Sequence, residues 1–253
     1  MNELTYLVLR VAREVAMIDP KINLRISAQT DLDLLSLATE LTRIGLGFPQ
    51  YSNDDVVIPA LVAHGYDLED ARDYVVAACW EFIIPGRGME VVNTGAVSFP
   101  AAVDRALREG LAAKDNFDHI LDRVKVHVRK QVNSLAGAYS RLLLPPAPYY
   151  SIFMRGCLEQ GLDLSEGLKY NNFGIHGAGS SNAADALAAV QKFIFEEHSI
   201  SPEELLSALD TNFIGSESLR RKLEEQGPKI GNNDPVADTL LVTLFDDLAD
   251  ACE

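Results

Sequence analysis

The stretch Asp73–Phe99 constrains this chain more than any other. A helix-like segment leads into it, and an apolar segment punctuated by Gly86, Gly88 and Gly95 leads out. Cys79 and Glu81 lie near its centre. In an extended backbone, side chains two residues apart project to one face, so Cys79 and Glu81 would share a space that Trp80 faces away from. Sulfur beside a carboxylate supports chemistry in which one group abstracts or attacks and the other moves a proton. The alternative at this point is a buried cysteine packing as a small hydrophobe, followed by a surface glutamate.

Composition narrows the function classes. The formal net charge of −15 repels phosphate backbones, which argues against a nucleic-acid partner. Three cysteines, Cys79, Cys157 and Cys252, form no disulfide framework and fit a reducing compartment. The N-terminal residues lack a basic region followed by an apolar run, and no apolar stretch reaches the roughly 20 residues needed to span a bilayer. A cytoplasmic protein without a membrane partner is expected. No CxxC pair or Cys/His cluster suggests a metal. His119 and His127 lie near one helical face, but no third ligand is close in sequence.

Helical spacing predicts helices over 3–17, from a Thr30-Asp31 cap to about Ile44, over 99–113 and over 116–142. It also predicts helices over 149–160, 182–197, 202–211, 216–226 and 234–252. Ile22–Ile26 alternates as a short strand. Asn53, Asp54 and Asp55 read as a loop with a helix cap or as part of a polar site. Asp67 with Asp70 resembles a capping box, opening a helix that leads towards Cys79. A second unusual stretch carries Gly174, Gly177 and Gly179 ahead of a helix, with His176 inside it. Its spacing differs from the phosphate-binding patterns and no clear strand precedes it, so close backbone approach in a packed site is the better reading.

Several segments together resemble the glycyl radical enzymes, the pyruvate formate-lyase-like family. They include Gly47-Phe48-Pro49, Tyr51, Asn53-Asp54, Ile58-Pro59-Ala60-Leu61 (a strand in that pattern), Leu68 to Tyr74 and Cys79-Trp80-Glu81. Gly174 to Gly179, Ala183 to Ala189, the acidic and apolar run ending at Phe213, and Gly231 to Pro235 continue the likeness, so it covers most of the chain. The resemblance implies a helix-rich α/β fold, part of a ten-stranded barrel of two antiparallel five-stranded half-barrels. It implies that Cys79 forms a thiyl radical and that Glu81 acts as base or proton shuttle. It places Asn93 and His176 among candidate substrate-binding residues. The cofactor implied is a glycyl radical, with no dissociable cofactor, installed by an S-adenosylmethionine-dependent iron-sulfur activating enzyme.

The family's Arg-Val-x-Gly-aromatic motif is not found in this sequence. The expectation is therefore a partial domain over residues 1–253 without the glycyl radical segment, inactive in isolation, anaerobic, and homodimeric when complete. Its partner would be the missing remainder of the barrel. Ala78 precedes Cys79 where formate acetyltransferases carry a second cysteine, so the resemblance points to elimination or decarboxylation of a small molecule. A non-catalytic fragment or split-enzyme subunit is the alternative. That alternative predicts exposed apolar surface. A plain thiol nucleophile at Cys79 ranks last, because no histidine lies within ten residues.

Overall fold

The computed structural model describes residues 2–77, 81–91 and 95–253, with the backbone alone for Glu90 and Val91. Cys79 and Asn93 lie outside the described residues. The described elements run α1 (Glu3–Val15), β1 (Asn23–Ile26), α2 (Leu32–Arg43), β2 (Gln50–Asn53), α3 (Asp54–Ala63), α4 (Leu68–Arg72), β3 (Val75–Ala77), β4 (Glu81–Ile83), β5 (Gly88–Val91) and β6 (Ala96–Ser98). They continue as α5 (Phe99–Ala113), α6 (Phe117–Tyr139), α7 (Pro148–Ser151), α8 (Cys157–Gln160), α9 (Leu164–Gly167), β7 (Tyr170–Phe173) and β8 (His176–Ala178). The last are α10 (Ser180–Val190), α11 (Pro202–Asp210), α12 (Glu217–Gln226) and α13 (Pro235–Cys252). A π-helical turn, Gln191–Glu196, prolongs α10.

The chain forms two compact units. The first holds Met1–Val91 and Leu144–Phe173, and the second Val92–Leu143 and Gly174–Glu253. In the first unit α1 and α2 bury Leu9, Leu34, Ala38 and Leu41 against Leu24 and Phe48. β1 pairs in parallel with β2, β3 antiparallel with β4, and β5 in parallel with β7. The outer face of α1 is different: Leu7, Val8, Val11 and Val15 stay exposed and, with Met17 just beyond the helix, line an apolar groove of about 330 Å³.

The second unit has the larger core. α5 and α6 pack side by side through Val103, Ala106, Leu107, Ile120, Val124 and Val128, while α10 and α13 add Ala184, Leu187, Leu240 and Leu244. β6 pairs in parallel with β8. Gly177 shows why glycine stands in that ladder. A Cβ there would sit 2.3 Å from Cε2 of the fully buried Phe99 ring and 3.3 Å from Leu248. No real side chain fits at that distance, so the strand backbone lies directly on the ring.

Several expectations need correction. Ile58–Leu61 is helical, within α3, because the Asn53 side chain caps the Asp55 N–H at 3.0 Å and two acidic residues occupy the first turn. A short apolar run does not distinguish the two states by period. The Asp67/Asp70 capping box does not form: Asp67 makes no side-chain cap bond, and α4 ends at Arg72. The chain reaches Cys79 by β3 rather than by a helix. Residues 149–160 are not one helix, since Gly156 at φ 95° separates α7 from α8. Strand β7 does precede the glycine-rich stretch, and β8 lies within it. The helix after it starts at Ser180, not Asn182, and gives way to the π-turn at Gln191.

Candidate functional site

Glu81 lies on an antiparallel strand pair. Val75, Val76 and Ala77 face Ile83, Phe82 and Glu81 in the β3–β4 register. Residues 78–80 are therefore the three between the paired Ala77 and Glu81. Glu81 opens β4 and is only 6% exposed, and Ile84 just beyond it is 2% exposed. Sequence reading placed Glu81 as a proton-handling group, and its position is a sheltered one.

Two polar clusters hold this strand pair within the first unit. Arg25 of β1 grips Asp54 with both ends of its guanidinium, Nε to Oδ1 at 2.8 Å and Nη2 to Oδ2 at 2.9 Å. Arg25 Nη1 also donates to the carbonyls of Arg72 and Tyr74, and the guanidinium lies 4.0 Å above the Tyr74 ring. The Tyr74 hydroxyl donates to Asp54 Oδ1 at 2.6 Å, and its ring meets Phe82 edge-on. The Asn23 amide reaches the Val76 carbonyl at 3.3 Å, tying β1 to β3. Burial and the adjacent Asp54 carboxylate push the Tyr74 phenol above its usual range. Burial pushes the Asp54 carboxyl up, but the bonds from Arg25 and Tyr74 outweigh it and hold the group below its ordinary value.

A carboxylate with a lowered folded-state pKa contributes stability that is complete above its unfolded value. That stability is lost as pH falls through the folded value. Arg25→Met is therefore expected to cost about 1–3 kcal/mol near neutral pH, less as pH falls below the ordinary carboxylate range, where the wild type also loses the pair. Urea unfolding of both proteins across that range checks it. A constant gap at every pH would mean that the cluster acts through packing alone.

The second cluster centres on Asp70, whose carboxylate is 1% exposed on its side chain. Lys169 Nζ lies 2.6 Å from Oδ2, the Tyr170 hydroxyl donates to Oδ2 at 2.8 Å, and Arg87 pairs with Oδ1. Arg87 sits in the turn that joins β4 to β5, and Tyr170 begins β7. Tyr66 stacks on Tyr170 at 4.2 Å between ring centres. Sequence reading missed this cluster by assigning Asp70 to a helix cap. The one signal was an Asp at the position where a capping box carries Glu or Gln.

Of the other candidates, His176 lies half-buried in β8 of the second unit, its N–H donating to the Gly95 carbonyl at 3.3 Å. Glu81 and His176 thus belong to different units. His127 is buried and bonds Glu109 at 3.0 Å, a structural role. Among the described residues, no group of three His, Cys, Asp or Glu side chains is placed to hold a metal. Among the same residues, no helix is long and apolar enough to cross a membrane. Cys157 is buried, and that burial raises its thiol pKa.

A family model described as "Pyruvate formate lyase-like" matches residues 1–253. The chain is 28% identical to (2S)-3-sulfopropanediol dehydratase of Klebsiella oxytoca over 97% of its own length and 32% of that protein. The glycerol-bound B12-independent glycerol dehydratase of Clostridium butyricum superposes with a TM-score of 0.80 at 30% identity, over 99% of this chain and 34% of that one. A glycyl radical enzyme from Archaeoglobus fulgidus superposes with a TM-score of 0.77 at 25% identity, over 99% of this chain and 34% of that one. The fold is thus that of part of a glycyl radical enzyme barrel, helix-rich and α/β. The chain spans about a third of the length of these relatives.

Proposed function

Since the chain belongs to the pyruvate formate lyase-like family, we propose that it contributes the hydrogen-abstracting cysteine and the proton-moving glutamate of a radical lyase. The reading takes Cys79 and Glu81 as a pair and dehydration of a small vicinal diol as the reaction. The observation that carries it is Glu81 itself, which pairs with Ala77 at the head of β4 and is 6% exposed. The surroundings fit radical chemistry, which needs water kept out: Tyr74 and Ile84 are also buried. Dehydratases acting on diols stand among the relatives, beside isethionate sulfite-lyases.

A glycyl radical supplies the oxidising equivalent that makes Cys79 a hydrogen-atom acceptor. Cys79 takes one hydrogen atom from a hydroxyl-bearing carbon of the substrate. Glu81 accepts the proton of that hydroxyl and delivers a proton to the neighbouring hydroxyl, which leaves as water. Cys79 then returns the hydrogen atom, so diol becomes aldehyde plus water with no net oxidation. Asn93 and His176 are assigned to substrate hydroxyls in this reading.

The chain is proposed to work as part of a larger assembly, covering about a third of its relatives' length and exposing the apolar face of α1. An iron-sulfur activating enzyme would be its second partner. The test is anaerobic co-expression with the flanking coding sequence and an activating enzyme, followed by assay on 1,2-propanediol and glycerol. Aldehyde release by the assembly, and none by the isolated chain, is the expected result. A radical-bearing assembly that eliminates from neither diol would overturn the diol reading and favour a non-catalytic subunit.

A further inference from the structure

A groove of about 220 Å³ runs between α5 and α6 in the second unit, far in sequence from Cys79 and Glu81. Ala101 and Arg105 form one wall, one helical turn apart on α5. His127, Lys130 and Ser134 form the other, on one face of α6 at spacings of three and four. Gln131 closes the groove and fixes the walls to each other. Its side chain accepts the Ser98 N–H at 2.9 Å and donates to the Ser98 carbonyl at 3.2 Å.

The charge of this groove runs against that of the protein. The chain carries −15 overall, yet the lining holds Arg105 and Lys130 and no carboxylate. Neither cation makes an ion pair among the described residues. The nearest acidic groups on α5 pair with other side chains, Asp104 with Arg108 at 3.0 Å and Glu109 with His127 at 3.0 Å and Arg123 at 3.6 Å, while the Lys130 charge also acts on Glu109 without an ion pair. His127 is 6% exposed and spends Nε2 on Glu109, so its ring is held rigidly as part of the wall.

We propose that this groove binds a phosphate-sized oxyanion, with room for a short organic substituent. Arg105 supplies a planar, two-pronged donor, Lys130 a point charge from the facing helix, and Ser134 a hydroxyl. That set matches the several acceptor oxygens of a phosphoryl group. Ala101 leaves the space that a longer side chain would fill.

Isothermal titration of the full chain with inorganic phosphate, at constant ionic strength, tests it. A saturable one-to-one isotherm is expected, and Arg105→Gln with Lys130→Gln should weaken it roughly tenfold or more. Lys21→Gln with Arg43→Gln, which changes net charge equally on the other unit, should leave it unaltered. Both groove side chains are exposed, so the variant should keep its fold, which circular dichroism checks. If it does not, Arg105→Lys serves in its place and should bind more weakly through loss of the two-pronged contact. Glycerol 3-phosphate is titrated in parallel: tighter binding than phosphate assigns the groove to a metabolite, and equal binding to the free ion. Absence of saturation with both, or equal loss in the control pair, overturns the proposal.

Discussion

Cys79→Ala is expected to abolish turnover of the assembled enzyme, and Glu81→Gln to lower kcat about 100- to 10,000-fold with KM nearly unchanged. The two losses differ in kind. In the proposed reaction, no group takes the hydrogen atom without sulfur at position 79, so nothing of it remains. Glutamine keeps the volume and a hydrogen-bonding oxygen at position 81, but it cannot carry the proton between the two hydroxyls. Substrate still binds, and the loss falls on the step in which water leaves. Radical content, measured by electron paramagnetic resonance, should be the same in wild type and Glu81→Gln. Retention of kcat within a fewfold in Glu81→Gln would assign the buried glutamate to packing instead.

Removing both cations from Asp70, as Arg87→Met with Lys169→Met, is expected to cost about 3–5 kcal/mol. The carboxylate is almost wholly enclosed and would be left with the Tyr170 hydroxyl as its remaining bond from this cluster. Asp70→Asn should be milder, about 1–2 kcal/mol, because Arg87 and Lys169 are 31% and 44% exposed and turn to water when the anion is gone. Adding Asp70→Asn to the double variant should then recover part of the loss, since no buried charge remains to be satisfied. Urea midpoints of the four proteins measure this cycle. Strict additivity would show that the cluster is not a coupled unit. Arg87 lies in the turn that links Glu81's strand to β5, so the same variants should lower activity in the assembly beyond what unfolding explains.

The sequence made the long helices legible because their apolar residues recur over many turns. α5 and α6 appear within a few residues of their expected limits, and Ser98, Asn116 and Ser201 cap helices as capping chemistry requires. The strands were harder. β3, β4, β6 and β8 are three residues each, too short for an alternation to register, and β5 and β7 owe their state to each other rather than to local preference. Ile58–Leu61 illustrates the same limit in reverse, a β-like tetrapeptide made helical by the Asn53 cap. Of the candidate site, Glu81 was singled out by its spacing from Cys79 and by the family resemblance, while its burial became visible only in the structure. Asp70 was not, because its partners Arg87 and Lys169 are brought to it by folding from distant parts of the chain.

The pairing of β5 with β7 bears on how this protein is made. β5 ends at Val91 and its partner ends at Phe173, about 80 residues later. At roughly 5–20 residues per second, translation takes roughly 4–16 s to supply the second strand after the first. The α1–α2 layer and the β1–β2 ladder use nearby segments and can form while the ribosome is still working. β5, by contrast, waits as an open edge through that interval, as does the Asp70 cluster that Lys169 and Tyr170 complete. The β5 edge is thus among the last parts of its unit to be closed, and a nascent chain stalled before Phe173 would offer it to any neighbour able to pair with it.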